Sequence, residues 1–237
     1  MAFHHSPRIV SDGLVFAIDI ANSKCYPGSG TSLTDIKGSK TVTLANATIG
    51  TGNLGFIDFD GSGDSAALGT GLEMGSTFSW SCFIRMGSIS NGGYGYFNAM
   101  SEDGVNHQSG YAISEGGTAG GVLSAGQAYY YGGSGASPGT NSNAVRISDH
   151  AFQIGVWTHI CCTIDNGASS GTIKTYINGV LDRTITSQQS RTFLTHLGWN
   201  NGSHYLDGEM AVYLGYNKTL TDAEVLQNYN VMKGRFE

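Results

Sequence analysis

The sequence predicts an all-β sandwich, and three observations carry the prediction. Charged residues make up only 13% of the 237, while Gly supplies 36 and Pro 3. That balance fits many strands joined by tight turns, and it lacks the Glu, Lys, Ala and Leu that helical surfaces need. Alternation with a period of two, the mark of a half-buried strand, recurs from near the start of the chain to near its end. Finally, Asn178-Gly179 sits between two strand-like runs and supplies the two positive φ values of a type I′ hairpin turn.

The elements follow in order. GLVFAIDI (Gly13 to Ile20) and LGFIDF (Leu54 to Phe59) are loose alternations. Thr77 to Met86 is the strictest, with Phe78, Trp80, Cys82, Ile84 and Met86 on one face and Ser79, Ser81, Phe83 and Arg85 on the other. WTHICCTI reads as a strand that sends Cys161 and Cys162 to opposite faces, and Thr172 to Thr186 as the Asn-Gly hairpin. GEMAVYLGY (Gly208 to Tyr216) is the last strand. Between Gly87 and Asn143 lie 15 of the 36 glycines and a tyrosine triplet, Tyr129 to Tyr131, as short strands separated by long loops would produce. Alternation forbids all three tyrosines from facing the core, so at least one is expected on the surface or in a contact.

A single helix is specified, over about 221–233. Thr221 with Glu224 forms a capping box, Leu220 and Val225 a hydrophobic staple, and Gly234 a stop. Val225, Leu226, Tyr229 and Met232 make an apolar stripe expected to dock on the sandwich. No charged or Pro-rich linker divides the chain, so residues 13–237 are read as one domain, preceded by an N-terminal arm over 1–12.

A net charge of −6 argues against nucleic acid, and no apolar run approaches the ~20 residues of a membrane helix. The four cysteines have no C-x-x-C spacing and are expected to be free thiols. The seven histidines share no ligand spacing, and His159 is expected to be packed and hydrogen-bonded. Catalysis has no visible address. The six glutamates begin no E-x-D-x-E pattern, Glu102 and Asp103 read as turn acids, and no nucleophile elbow or P-loop is present.

Two candidate sites remain. Asp58 and Asp60 leave one face of a strand and Asp64 follows in a Gly-rich turn, a possible calcium site to which Asp207 could add; the alternative is that these acids cap the turn. Tyr129, Tyr130, Tyr131 and Trp199 could contact carbohydrate or a neighbouring subunit, or simply pack.

Several segments together resemble the laminin G-like, concanavalin A-like domains of tailed-bacteriophage virion proteins. They are SPRIVSDGLVFAIDIANSKCYPGSGTSLTDIKG (Ser6 to Gly38), FIDFDGSGD (Phe56 to Asp64), GVWTHICCTID (Gly155 to Asp165), TYINGVLDRTIT and GEMAVYLGYNKTLTDAEVLQNYNVMKGRF (Gly208 to Phe236). The resemblance implies a jelly-roll sandwich that is not an enzyme. It implies a virion structural protein, a decoration or adaptor docking on head or tail, with other virion proteins as partners in a homo-oligomer or symmetric array. A lectin-like module for host-surface glycan is the alternative.

Overall fold

In a computed structural model of the chain, the structure describes residues 8–38, 40–50, 55–88, 94–101, 109–114, 126–131, 144–165, 171–188, 192–200 and 204–237. The chain runs through β1 (Leu14–Asp19), β2 (Ser32–Thr34), β3 (Thr41–Ala45), β4 (Thr48–Gly50), β5 (Phe56–Asp60), β6 (Ser65–Glu73) and the long central β7 (Phe78–Met86). Next come β8 (Tyr94–Ser101), β9 (Ser109–Ser114), β10 (Gln127–Tyr131), β11 (Ala144–Ala151), β12 (Trp157–Asp165), β13 (Gly171–Ile177), β14 (Val180–Gln188) and β15 (Phe193–Leu197). A short ribbon, β16 (Trp199–Asn200) with β17 (His204–Tyr205), precedes β18 (Asp207–Tyr216) and helix α1 (Asp222–Met232). The expected strands are all present, and the Gly/Tyr-rich middle supplies β8, β9 and β10.

Two antiparallel sheets face each other. The first runs β14-β13-β12-β7-β18-β5-β4, with β1 lying beside the second half of β18. The second runs β11-β10-β9-β8-β15-β6-β3-β2. Strands adjacent in the chain often lie apart in the sheets, so the register is set by long-range pairing. The hairpin between β13 and β14 is as expected, with Asn178 at φ 50° and Gly179 at φ 80°.

The alternation of β7 is realised in full. Phe78, Trp80, Cys82, Ile84 and Met86 enter the core between the sheets, while Phe83 faces outward. Trp80 stacks on Tyr213 at 6.0 Å and meets Tyr111 edge-on at 5.0 Å, joining β7, β18 and β9. Tyr213 is wholly buried, and Asn98 of the opposite sheet donates to its hydroxyl at 2.9 Å. Cys161 and Cys162 do face opposite layers, and all four cysteines are free and buried.

The outer face of the first sheet is apolar too, and α1 covers part of it. Thr221 and Glu224 form the capping box, and Leu220 and Val225 are both buried. The Ser79 hydroxyl donates to the Lys218 carbonyl and accepts from the Leu220 N–H, pinning the helix entry to β7. Two expectations about the helix are corrected. Leu226 is 43% exposed, because the sheet-facing stripe is Val225, Asn228 and Met232. Gly234 lies within a short 3-10 turn, Lys233–Arg235, that continues from the helix.

The N-terminal arm over 1–12 is corrected as well, since residues 8–12 are bonded to the domain; residues 1–7 lie outside the described residues. The Val10 N–H donates to Asn228 Oδ1 at 2.8 Å, Asn228 Nδ2 donates to the Tyr216 hydroxyl, and that hydroxyl donates to the Val10 carbonyl. Gln227 also donates to the Arg8 carbonyl, and Lys218 bridges Asp12 and Glu224. Residues 8–12 are therefore part of the folded domain. Among the described residues no helix is long and apolar enough to cross a membrane.

His159 is packed, as expected, against Phe83 at 4.9 Å and Tyr229 at 5.7 Å, but neither ring nitrogen has a hydrogen-bond partner among the described residues. Burial pushes the imidazole down from 6.5 to about 3, so the native ring is neutral above that pH. In the unfolded chain the ring takes up its proton below 6.5, so native stability falls as the pH drops from 6.5 towards 3. The slope from this one group is at most about 1.4 kcal/mol per pH unit. Urea unfolding at pH 7 and at pH 4.5 should show His159→Leu losing less stability on acidification than the wild type. Equal losses would mean that His159 is not a buried neutral group.

Candidate functional site

The second sheet carries an aromatic cluster on its outer face. Tyr96 on β8, Ala112 on β9, and Tyr129 and Tyr131 on β10 pack together there, with Ala144 of β11 beside them. The register accounts for it, since Tyr96 pairs with Ala112 and Ala112 with Tyr129. Gly110 makes the room: a Cβ there would lie 2.9 Å from Tyr96 Cδ1 and 2.2 Å from the Asn98 carbonyl oxygen. Tyr96 meets Tyr131 at 5.7 Å and His204 at 6.1 Å, and Tyr129 meets Tyr131 at 6.3 Å.

Next to this cluster the β16–β17 ribbon adds Trp199, which is partly exposed. Its ring meets His196 edge-on at 4.8 Å and lies nearly parallel to Tyr205 at 6.4 Å and 27°. His196 comes from β15, paired with Ala67 and Ala99, whose small side chains leave space over the sheet.

The tyrosine triplet therefore splits. Tyr129 and Tyr131 share the outer face, whereas Tyr130 is in the inter-sheet core, 4.9 Å from Tyr111 and 1% exposed. All three are buried, Tyr129 and Tyr130 at 1% and Tyr131 at 5% exposure, so the expectation that one stands on the surface is corrected: Tyr130 packs into the inter-sheet core, and Tyr129 and Tyr131 are covered on the outer face. Tyr96, His204 and Tyr205 are the members that the sequence reading missed. They lie far from Tyr129 in the chain, and only strand register brings them together.

The acidic candidates occupy the outer face of the first sheet. Asp58 and Asp60 share one side of β5, as the alternation predicts. Asp58 lies opposite Glu209, and Asp60 opposite Asp207. Arg85 of β7, opposite Glu209 on its other side, donates through Nε and Nη2 to both carboxylate oxygens. The same guanidinium lies 5.9 Å from the Phe56 ring and 5.4 Å from the Trp157 ring.

Asp60 and Asp64 come together in the turn after β5. Asp64 is buried and accepts the Asp60 N–H at 2.8 Å, while Asp60 Oδ1 accepts the Ser62 N–H at 2.8 Å. Both acids thus cap the glycine turn. Among the described residues no group of three or more His, Cys, Asp or Glu side chains is arranged to hold a metal ion. Burial, then Glu209 and Asp60, pushes the Asp58 carboxyl above the usual range; burial, then Asp58 and Asp60, does the same to Asp207. Glu102 and Asp103 lie outside the described residues.

A family model described as concanavalin A-like lectin/glucanases superfamily matches residues 60–226. No curated protein matches the chain. Among solved structures, the chain is similar to domain 4 of AbnA, a GH43 extracellular arabinanase from Geobacillus stearothermophilus, in complex with arabinotriose. The TM-score is 0.61 at 16% identity, covering 91% of this chain and 98% of that one. Trypanosoma rangeli sialidase, in complex with 2,3-difluoro-KDN, superposes with a TM-score of 0.67 at 12% identity, over 99% of this chain but only 36% of the sialidase. The binding domain of Botulinum neurotoxin DC, in complex with SialylT, gives 0.62 at 15% identity, over 93% of this chain and 51% of that one. At these identities the likenesses establish the fold.

The facing acids generate a test. Asp58→Asn removes a like-charge contact across β5 and β18, and such contacts cost roughly 0.2–1 kcal/mol. Its thermal midpoint at neutral pH and low salt should rise by about 1–3 °C, with the gain fading in high salt. A lower midpoint, together with a wild-type midpoint that drops when calcium is chelated, would instead assign the carboxylate to a bound cation.

Proposed function

The chain belongs to the concanavalin A-like lectin/glucanases superfamily, and on that premise we propose that it is a non-catalytic carbohydrate-recognition domain. The observation that carries this reading is the aromatic surface of the second sheet. Sugars present a flat apolar face of C–H groups between polar hydroxyls, and exposed rings bearing polar tips match both. Trp199, His204 and Tyr205 on the ribbon are partly exposed and supply that combination, while Tyr96, Tyr129 and Tyr131 beside them are buried and serve as its floor. Two of the similar structures were determined with arabinotriose and with SialylT, which agrees with the reading.

Hydrolysis is disfavoured on chemical grounds. A glycosidase of the usual kind needs two carboxyl groups flanking the bond to be cut. No carboxylate is among the described side chains that build this aromatic cluster. The acids of the other sheet are a poor substitute, because Arg85 occupies both oxygens of Glu209.

A screen of immobilised glycans with the whole chain should return an oligosaccharide. Trp199→Ala should then weaken that binding at least about tenfold, the ~1.4 kcal/mol weight of one stacked ring, with an unchanged thermal midpoint. No binder in the screen, or full affinity in the variant, would sink this site.

A second reading is favoured by the resemblance of Ser6 to Gly38 and Gly208 to Phe236 to tailed-bacteriophage virion proteins. On it the domain is a decoration or adaptor subunit on a virion head or tail, with the sugar surface facing the host. Immunogold electron microscopy of purified particles with antibody to this chain should give regular label on one part of the particle. Unlabelled particles alongside abundant protein in the infected-cell lysate would remove the virion reading and leave the sugar reading standing.

A further inference from the structure

The helix and the turn after it are separable from the sandwich. Among the described residues the inter-sheet core draws on none beyond Tyr213, whereas Leu220, Val225 and Met232 belong to the cluster on the outer face of the first sheet. Helix α1 buries just Val225, Asn228 and Met232, and about three turns of helix are not stable in water without packing. Phe236 then lies on Phe83 at 4.1 Å and on Trp157 at 5.0 Å. Lifting residues 218–236 would bare this face without opening the space between the sheets, a local rather than a global unfolding.

The seam beneath this cover leaves several hydrogen-bonding groups unused. Ser81 Oγ, Trp157 Nε1 and both ring nitrogens of His159 are buried there with no partner among the described residues. His159 is wholly buried, with Phe83 of β7 at 4.9 Å and Tyr229 of α1 at 5.7 Å. A neutral imidazole can be held between two rings at the cost of its hydrogen bonds. An imidazolium needs water or an anion as well. Lifting the cover returns water to all four atoms.

No anion is at hand. The titratable groups that share this face with His159 are Cys161 on β12, Arg85 on β7, Tyr176 on β13, and Tyr229, Lys233 and Glu237 on the C-terminal segment. The ions among them are already paired, Arg85 with Glu209 and Lys233 with Glu237. The Tyr176 hydroxyl donates to Asp222.

We propose that residues 218–236 are an acid-released strap: protonation of His159 lifts α1 and the turn after it from the first sheet, while the sandwich stays closed. Above pH 6.5 the ring is neutral in both forms. Between 6.5 and about 3 only the lifted form takes up the proton, so its population rises as the pH falls. The strap covers the opposite sheet from Trp199, so it does not depend on the sugar reading.

The cysteines report on it. Cys161 lies under the strap, whereas Cys25, Cys82 and Cys162 lie between the sheets. The whole chain is treated with a dipyridyl disulfide, which reacts with thiols in acid, and each rate is divided by that of the urea-unfolded chain at the same pH. From pH 7 to pH 4.5 the corrected rate at Cys161 should rise roughly 70-fold, the ratio of protonation between a free ring and one held near 3. Cys161→Ala should abolish this fast labelling, and the other three thiols should stay slow. His159→Leu, or His159→Gln if the first does not fold, should lose most of the acid response. Four cysteines that react together at pH 4.5 would overturn the proposal, because the whole sandwich would then be opening. So would a Cys161 rate that acid leaves unchanged, or a variant that keeps the wild-type response.

Discussion

Burial of the central strands on both faces is the constraint from which most of this structure follows. On β7 and β12 the inward side chains meet the second sheet, and the outward ones, Phe83, His159 and Cys161, are equally cut off from water. A sandwich has only one interior, so a sheet apolar on both sides needs a second cover. The chain builds that cover from its two ends. Asn228 is its central hydrogen-bonding group, because one buried amide accepts from Val10 and donates to Tyr216. An apolar residue at 228 would leave a buried N–H and a buried hydroxyl without that partner, each at a cost of about 1–3 kcal/mol. The Arg235 guanidinium, bonded to both oxygens of Asp19, fastens the far end of the same cover.

The two outer faces are finished by different chemistry, and this divides the possible work between them. The face under α1 is sealed by aliphatic and aromatic packing, and beside it Arg85 is paired with Glu209. The other outer face is finished by buried tyrosines packed over small residues, and the partly exposed rings beside them are those of the ribbon, Trp199, His204 and Tyr205. The low charge content of the chain has the same origin, since fewer outward positions are left to carry ions when both sheets have covered outer faces.

The legible parts of the sequence are those set by neighbours in the chain. The face of each β7 residue, the split of Cys161 from Cys162, the Asn178-Gly179 turn and the Thr221–Glu224 cap depend on spacings of one to three residues, and each is found as expected. Alternation shows that two adjacent side chains part company, but not which of the two faces inward or whether the outer one is covered. Tyr130 was misassigned for that reason, and Leu226 because a helical stripe does not reveal where its rim lies. The acids illustrate a second limit. Asp58 and Asp60 share a face as their spacing requires, but Glu209 and Asp207 come to stand opposite them only through the register of β18. Asn228 was invisible for the same reason, since its partners are 218 residues before it and 12 before it.

The same logic explains why function in this fold sits in side chains placed by register rather than in a motif. Arg85 pairs across strands with Glu209 on one side and Trp157 on the other, and Glu209 pairs with Asp58. The row therefore reads Asp58, Glu209, Arg85, Trp157 across β5, β18, β7 and β12. Two carboxylates in such a row could act as an acid and a base only if both were free and their proton affinities diverged. Here Arg85 donates to both oxygens of Glu209, and its guanidinium lies beside the Phe56 and Trp157 rings. Arg85 thereby ties β18 to β7 through a cross-strand ion pair.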